Sequence, residues 1–91
     1  MKKSDQYWHA RIVGIAKEIH RLTLGWKEYG KKESSGMIIE VFVKEDSFIS
    51  DIKCKELEFS DLEQGDEVVV RGYFENEKAI AKSIYIFRTD I

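Results

Sequence analysis

Apolar and polar residues alternate through most of the second half of the chain, which is the pattern of half-buried β-strands. The clearest example is residues 37–44, where Ile39, Val41 and Val43 alternate with Ile38, Glu40 and Phe42. A period of two places neighbouring side chains on opposite faces of a sheet. The same pattern predicts further strands at 49–57, 68–72 and 80–86, separated by turns at 45–47 and 75–78.

Residues 7–27 fit two periodicities. Apolar residues in helical register are Ile15, Ile19, Leu22 and Trp26, whereas Leu22, Leu24 and Trp26 also alternate strictly. Gly14 and Gly25 interrupt the segment, and each weakens a helix by about 1 kcal/mol relative to alanine. Val13 and Thr23 are β-branched and favour a strand. We therefore predict one long strand that bends near residues 14–18.

Two local features refine the pattern. Ser60 and Glu63 have the spacing of a capping box and Gly65 is suited to end a helix, so one helical turn is predicted near residues 59–66. Lys82 breaks the apolar alternation of the last strand, which predicts a local irregularity there. The predicted core consists of Ile39, Val41, Val43, Val68, Val70, Ile80 and Ile84.

The order of these elements is that of the OB-fold, a five-stranded Greek-key barrel. Residues 61–72, with the sequence DLEQGDEVVVRG, and the hairpin that leads to 80–84 resemble the fourth and fifth strands of OB-fold domains. Residues 10–15 are similar to the opening of their first strand. The resemblance covers roughly residues 8–87 and extends to the anticodon-binding, helicase-associated and single-strand-binding branches. It implies an all-β, five-stranded antiparallel barrel with one short helical turn between strands three and four.

Composition and charge narrow the class of protein. Residues 1–91 are expected to form a single domain, with flexible ends at 1–6 and 88–91. The net charge is −2, which disfavours a dedicated binder of duplex DNA. Residues 1–36 nevertheless carry eight basic and four acidic side chains, so an anionic ligand should meet this part of the chain, although a solvated surface explains these charges equally well.

The single cysteine excludes an internal disulfide and favours a cytoplasmic protein. We expect neither a secretory signal nor a membrane-spanning segment.

Candidate catalytic chemistry is sparse. His9 and His20 have no serine or cysteine partner at a recognisable spacing. Cys54 lies between Lys53 and Lys55, but alternation predicts that its thiol points inward as a buried structural group. Two histidines and one cysteine are too few for a zinc site. We therefore predict no enzymatic activity, no metal and no cofactor.

The resemblance to OB-fold domains implies binding of single strands, in which bases stack on aromatic side chains and cations follow the backbone. Aromatic and basic residues fall on the predicted second to fourth strands and on the loop after the first strand. The candidate nucleic-acid-binding residues are Trp26, Lys27, Tyr29, Lys31, Lys32, Phe42, Lys44, Lys53, Lys55, Arg71 and Tyr73. The predicted function is non-catalytic binding of single-stranded DNA or RNA with low sequence specificity.

An alternative is an OB-fold subunit that binds a larger protein of a nucleic-acid-handling complex or associates with itself through the barrel surface. The outward apolar pair Ile38 and Phe42 supports this alternative, because such pairs mark protein interfaces. The acidic turn at 75–77 supports it too, since it lies where nucleic-acid-binding OB-folds often hold positive charge. No membrane partner is expected.

Overall fold

The strands form a closed barrel. The computed structural model describes residues 5–26 and 37–87, and within them it contains five strands. These are β1 (Gln6–Ala16), β2 (Arg21–Trp26), β3 (Met37–Asp51), β4 (Glu67–Glu75) and β5 (Lys78–Ile86). The order around the barrel is β1-β2-β3-β5-β4, and β4 closes it by pairing with β1. The pairing of β3 with β5 is parallel and the other four are antiparallel. The structure confirms an all-β, small OB-like barrel.

The first predicted strand is two strands. A 3-10 turn at Lys17–Ile19 and the left-handed backbone of His20, at φ 47°, reverse the chain after β1. β2 then runs back along β1, with Leu22 opposite Ile15. The prediction of one bent strand is wrong because the apolar alternation continues on both sides of a short reversal that contains no glycine or proline.

β3 is continuous where a turn was predicted at 45–47. Its pairing with β5 shifts register between Val43 and Phe48. Ser47 bridges this irregularity, since its hydroxyl accepts a hydrogen bond from the Lys44 amide at 2.9 Å and donates one to the Ala81 carbonyl at 2.7 Å. The strand ends at Asp51, so the separate third strand predicted at 49–57 is wrong. The total of five strands was nevertheless correct.

The inward side chains of all five strands form one core. The buried cluster comprises Ala10, Ile12, Leu22, Leu24, Val41, Val43, Ile49, Leu62, Val68, Val70, Ala79, Ala81, Ile84 and Ile86. Ile39 is half-buried and packs against this cluster. Ile80 is also buried, but it lies on the opposite face of β5 from Ala79 and Ala81 and is outside the cluster. Its predicted place inside the barrel is therefore wrong.

Local predictions near the last two strands agree with the structure. The short helical turn is the 3-10 turn Phe59–Asp61, although its capping box joins Glu58 to Asp61 rather than Ser60 to Glu63. Gly65 has a φ of 100°, the left-handed region that suits glycine. Lys82 has no partner in the ladder, because Arg71 pairs with Ser83 and Gly72 pairs with Ala81. The unpaired Lys82 is the predicted irregularity.

Within the described ranges, no helix has the length and apolar character needed to cross a membrane.

Candidate functional site

Part of the predicted nucleic-acid site lies outside the described residues. Lys27, Tyr29, Lys31, Lys32 and the side chain of Trp26 belong to this part. The segment 27–36 follows β2 rather than β1, so it connects β2 to β3. Its predicted place as the first loop of an OB-fold is therefore wrong, because the hairpin after Ala16 was not recognised.

The predicted row of cations on a third strand does not form. Lys53 and Lys55 lie in a turn after β3, where their backbone amides donate to the buried carboxylate of Asp51 at 2.8 and 3.0 Å. Cys54, in the same turn, is exposed and has a φ of 64°, so the prediction of an inward thiol is wrong. Lys44 is exposed on β3, within the irregularity between Val43 and Phe48. These side chains do not share one strand face.

Two predicted aromatic residues do share a row on the outside of the barrel. Phe42, Ile80 and Tyr73 are neighbours across β3, β5 and β4. Phe42 points outward as predicted, but both rings are half-buried. The ammonium of Lys78 lies 5.5 Å from the centroid of the Phe42 ring, and that of Lys82 lies 5.7 Å from the centroid of the Tyr73 ring. The chain's own lysines therefore occupy positions that a stacked base would need.

A second group of aromatic and apolar side chains lies on the outer face of β1, β4 and β5. We call it the aromatic face and define it by Tyr7, His9, Val69, Tyr85 and Phe87. His9, Val69 and Tyr85 form one row across the three strands. Phe87 follows β5 and lies level with Glu67, whose carbonyl accepts its amide hydrogen bond at 2.9 Å. Tyr7 lies one outward position along β1 from His9, opposite Arg71.

The rings of Tyr7, Tyr85 and Phe87 are exposed, and the ring of Phe87 is in contact with those of Tyr85 and His9. Tyr7 is 68% exposed, Tyr85 36% and Phe87 38%. The Tyr85 and Phe87 rings meet edge to face with centroids 5.1 Å apart, and the His9 ring lies 5.8 Å from that of Phe87. Sequence reasoning missed these residues, although the buried positions of Ile84 and Ile86 already imply that Tyr85 points outward.

Charged side chains lie at both ends of the aromatic face. Nε2 of His9 and a carboxylate oxygen of Glu67 lie 2.9 Å apart. Arg11 approaches the same carboxylate at 3.7 Å and donates a hydrogen bond to the Gly65 carbonyl at 2.8 Å. Arg71 stands two outward steps along β4 from Glu67, between Tyr7 and Ser83. The face thus combines exposed rings with a small number of charges of both signs.

A second candidate is a cleft of about 350 Å³ at the end of the barrel formed by the two 3-10 turns. It is lined by Ile15, Lys17, His20, Glu58, Phe59, Ser60 and Leu62. The His20 ring stacks on the Phe59 ring with centroids 4.7 Å apart. Across residues 5–26 and 37–87, no three histidine, cysteine or carboxylate side chains are grouped so that they could hold a metal ion.

Comparison with known proteins identifies the fold. No family model and no curated protein sequence matches the chain. A solved structure does match, that of a tryptophan-to-alanine variant of CusF from Escherichia coli with Cu(II). The match covers 97% of this chain and 100% of that chain, with 12% sequence identity and a TM-score of 0.64. At this identity the similarity shows a shared fold.

The comparison also corrects the predicted function. The matching barrel is that of CusF, determined with Cu(II), so the barrel does not by itself indicate nucleic-acid binding. The stacking row and the cation row that the prediction needed are not assembled on one face of the described residues. Binding of single-stranded DNA or RNA, and the alternative of a subunit in a nucleic-acid-handling complex, are therefore wrong. The fold that the structure and the comparison share is a small OB-like barrel.

Proposed function

We propose that this chain is a non-catalytic protein-binding barrel whose docking surface is the aromatic face. The observation that carries the proposal is the contact between exposed rings, with the Phe87 ring 5.1 Å from that of Tyr85 and 5.8 Å from that of His9. Contiguous apolar surface rimmed by charge marks interaction sites in soluble proteins. Aromatic residues and arginine are also enriched in the centres of protein interfaces.

The environment of the histidines supports binding rather than catalysis. His9 is engaged by the Glu67 carboxylate, and His20 stacks on Phe59. In the part of the chain that the structure describes, neither imidazole is hydrogen-bonded to a hydroxyl or thiol, which is the arrangement that activates a nucleophile. The exposed thiol of Cys54 fits a protein of the reducing cytoplasm.

The barrel also presents the aromatic face in a fixed shape. Each of the three strands is paired on both sides over part of its length, because the sheet closes on itself. Glu67, at the start of β4, is held by His9 and Arg11 of β1. A surface that is ordered before binding loses less conformational entropy when a partner docks. A preformed apolar face of this kind suits a folded protein surface.

A photo-crosslinking experiment tests the proposal. We would place benzoylphenylalanine at position 7 or at position 38 of the full chain, in cells that produce it, because Tyr7 and Ile38 are both 68% exposed. The proposal predicts protein adducts from position 7 and none from position 38, which lies on the outer face of β3. Adducts from position 38 alone, or adducts to nucleic acid, would contradict it.

A further inference from the structure

The outward side chains at the start of β4 are acidic, apolar and basic in turn. Glu67, Val69 and Arg71 alternate with the buried residues Val68 and Val70 and point outward. An acidic side chain, an apolar one and a basic one therefore follow each other along the middle strand of the aromatic face. Val69 is at the centre, in a row with His9 and Tyr85.

From this pattern we infer that the partner at the aromatic face is a second copy of this chain. The inference rests on the proposed function. The two copies pack face to face about a two-fold axis that lies in the interface and crosses β4 at Val69, perpendicular to the strand. β4 then runs antiparallel over its symmetry mate. Glu67 meets Arg71 of the partner subunit, and the symmetry repeats this contact at the other end.

The flanking strands agree with the same axis. On β1, Tyr7 and Arg11 stand one outward step either side of His9, so Arg11 lies over the ring of the partner's Tyr7. A guanidinium over an aromatic ring is a favourable contact. On β5, Tyr85 lies on the axis and meets the partner's Tyr85. The same two-fold axis therefore sets Glu67 against the partner's Arg71, Arg11 against the partner's Tyr7 and Tyr85 against the partner's Tyr85.

The other face-to-face two-fold arrangement is unfavourable. An axis along β4 would set each Glu67 against the partner's Glu67 and each Arg71 against the partner's Arg71. Like charges placed together at an interface repel each other, so this orientation is disfavoured. A two-fold interface requires a surface that is complementary to itself, which the acidic-apolar-basic sequence of β4 provides. The net charge of −2 gives two copies little long-range repulsion.

Charge reversal tests the contact between Glu67 and Arg71. We predict that the full wild-type chain sediments as a dimer. Glu67→Arg alone and Arg71→Glu alone each create two like-charge contacts and should raise the dimer dissociation constant roughly 100-fold. An equimolar mixture of the two variants restores both contacts in a heterodimer, so dimers should reappear on mixing.

Two controls accompany this experiment. Glu40→Arg is the matched control, because Glu40 also holds an outer-face ion pair, with Arg21 at 3.2 Å, but lies on β3 away from the aromatic face. It should remain dimeric. Tyr85→Arg places a cation on the axis opposite itself and should give a folded monomer even where reversal at position 67 impairs folding. Circular dichroism establishes that each variant is folded.

The outcomes separate this inference from the proposed function. A wild-type chain that stays monomeric, folded single variants that stay dimeric, or a mixture that fails to restore the dimer would each overturn the two-fold contact. Protein adducts from position 7 to a different protein would then leave the proposed docking surface standing. If position 7 gives no protein adduct, the docking surface itself is wrong.

Discussion

Gly72 marks a place on β4 where the barrel has no room for a side chain. It pairs with Ala81 of β5 beside the irregularity at Lys82. A Cβ atom at Gly72 would overlap the carbonyl oxygen of Ile80 and lie 3.0 Å from both the Ile80 carbonyl carbon and Cζ3 of Trp8. Two of these three atoms belong to the β5 backbone, so the strand pair must separate to relieve the overlap.

The size of the effect follows from this geometry. Overpacking a well-packed interior costs about 1–3 kcal/mol, and a contact with backbone belongs at the upper end. We therefore expect Gly72→Ala to lower the free energy of unfolding by about 3 kcal/mol. In a domain of this size each kcal/mol moves the melting temperature by about 4–8 °C, so Tm should fall by about 12–24 °C.

Urea unfolding followed by tryptophan fluorescence measures the change, and two other glycines provide controls. At Gly14 a Cβ would lie 3.5 Å from Cβ and Oγ1 of Thr23, an ordinary contact, so Gly14→Ala should change stability by less than about 1 kcal/mol. At Gly65 there is open space but a φ of 100°, so Gly65→Ala should cost about 1–2 kcal/mol from backbone strain. If Gly72→Ala and Gly14→Ala unfold at the same urea concentration, the described packing of β4 on β5 is incorrect.

Three further substitutions test the core and the turns. Val70 is completely buried, so Val70→Ala should lower the free energy of urea unfolding by about 2–3 kcal/mol, and an unchanged midpoint would place it outside the core. Asp51→Ala removes the acceptor of the Lys53 and Lys55 amides and should cost about 2–3 kcal/mol. Hydrogen exchange at those two amides should accelerate most, and uniform exchange would contradict the assigned contacts. Glu77 has a φ of 66° in the β4–β5 turn, so Glu77→Gly should raise the free energy of unfolding by about 0.5–1 kcal/mol in the same assay, whereas a loss would contradict the turn geometry.

The alternation of apolar and polar residues along the chain predicted much of the fold. The alternation around Val41, Val68 and Ile84 identified inward positions correctly, and the interruption at Lys82 identified the irregularity in β5. Strand ends were harder to predict. The reversal at Lys17–Ile19 uses His20 in a left-handed conformation, which composition does not indicate. The register shift of β3 depends on the Ser47 hydroxyl bonding to Ala81, a contact between distant parts of the chain.

The candidate surface depends even more on distant contacts. Alternation beside Ile84 and Ile86 places Tyr85 outward, but it does not say which strand lies next to it. His9 and Glu67 are 58 residues apart in sequence and meet because β1 closes the barrel on β4. Burial of Ile80 on the outer face likewise requires Phe42 and Tyr73 to flank it from two other strands. Strand order and register, rather than residue type, assemble these groups.

The most direct test of the account is an NMR dilution series of the full chain with labelled tyrosine and phenylalanine side chains. The account predicts that the ring signals of Tyr7, Tyr85 and Phe87 change together between low and high protein concentration, because these rings enter the interface. Signals from Phe42 and Tyr73 should stay constant, since their outer-face row lies beneath Lys78 and Lys82. Changes confined to Phe42 and Tyr73, or the absence of any concentration dependence, would contradict self-association through the aromatic face.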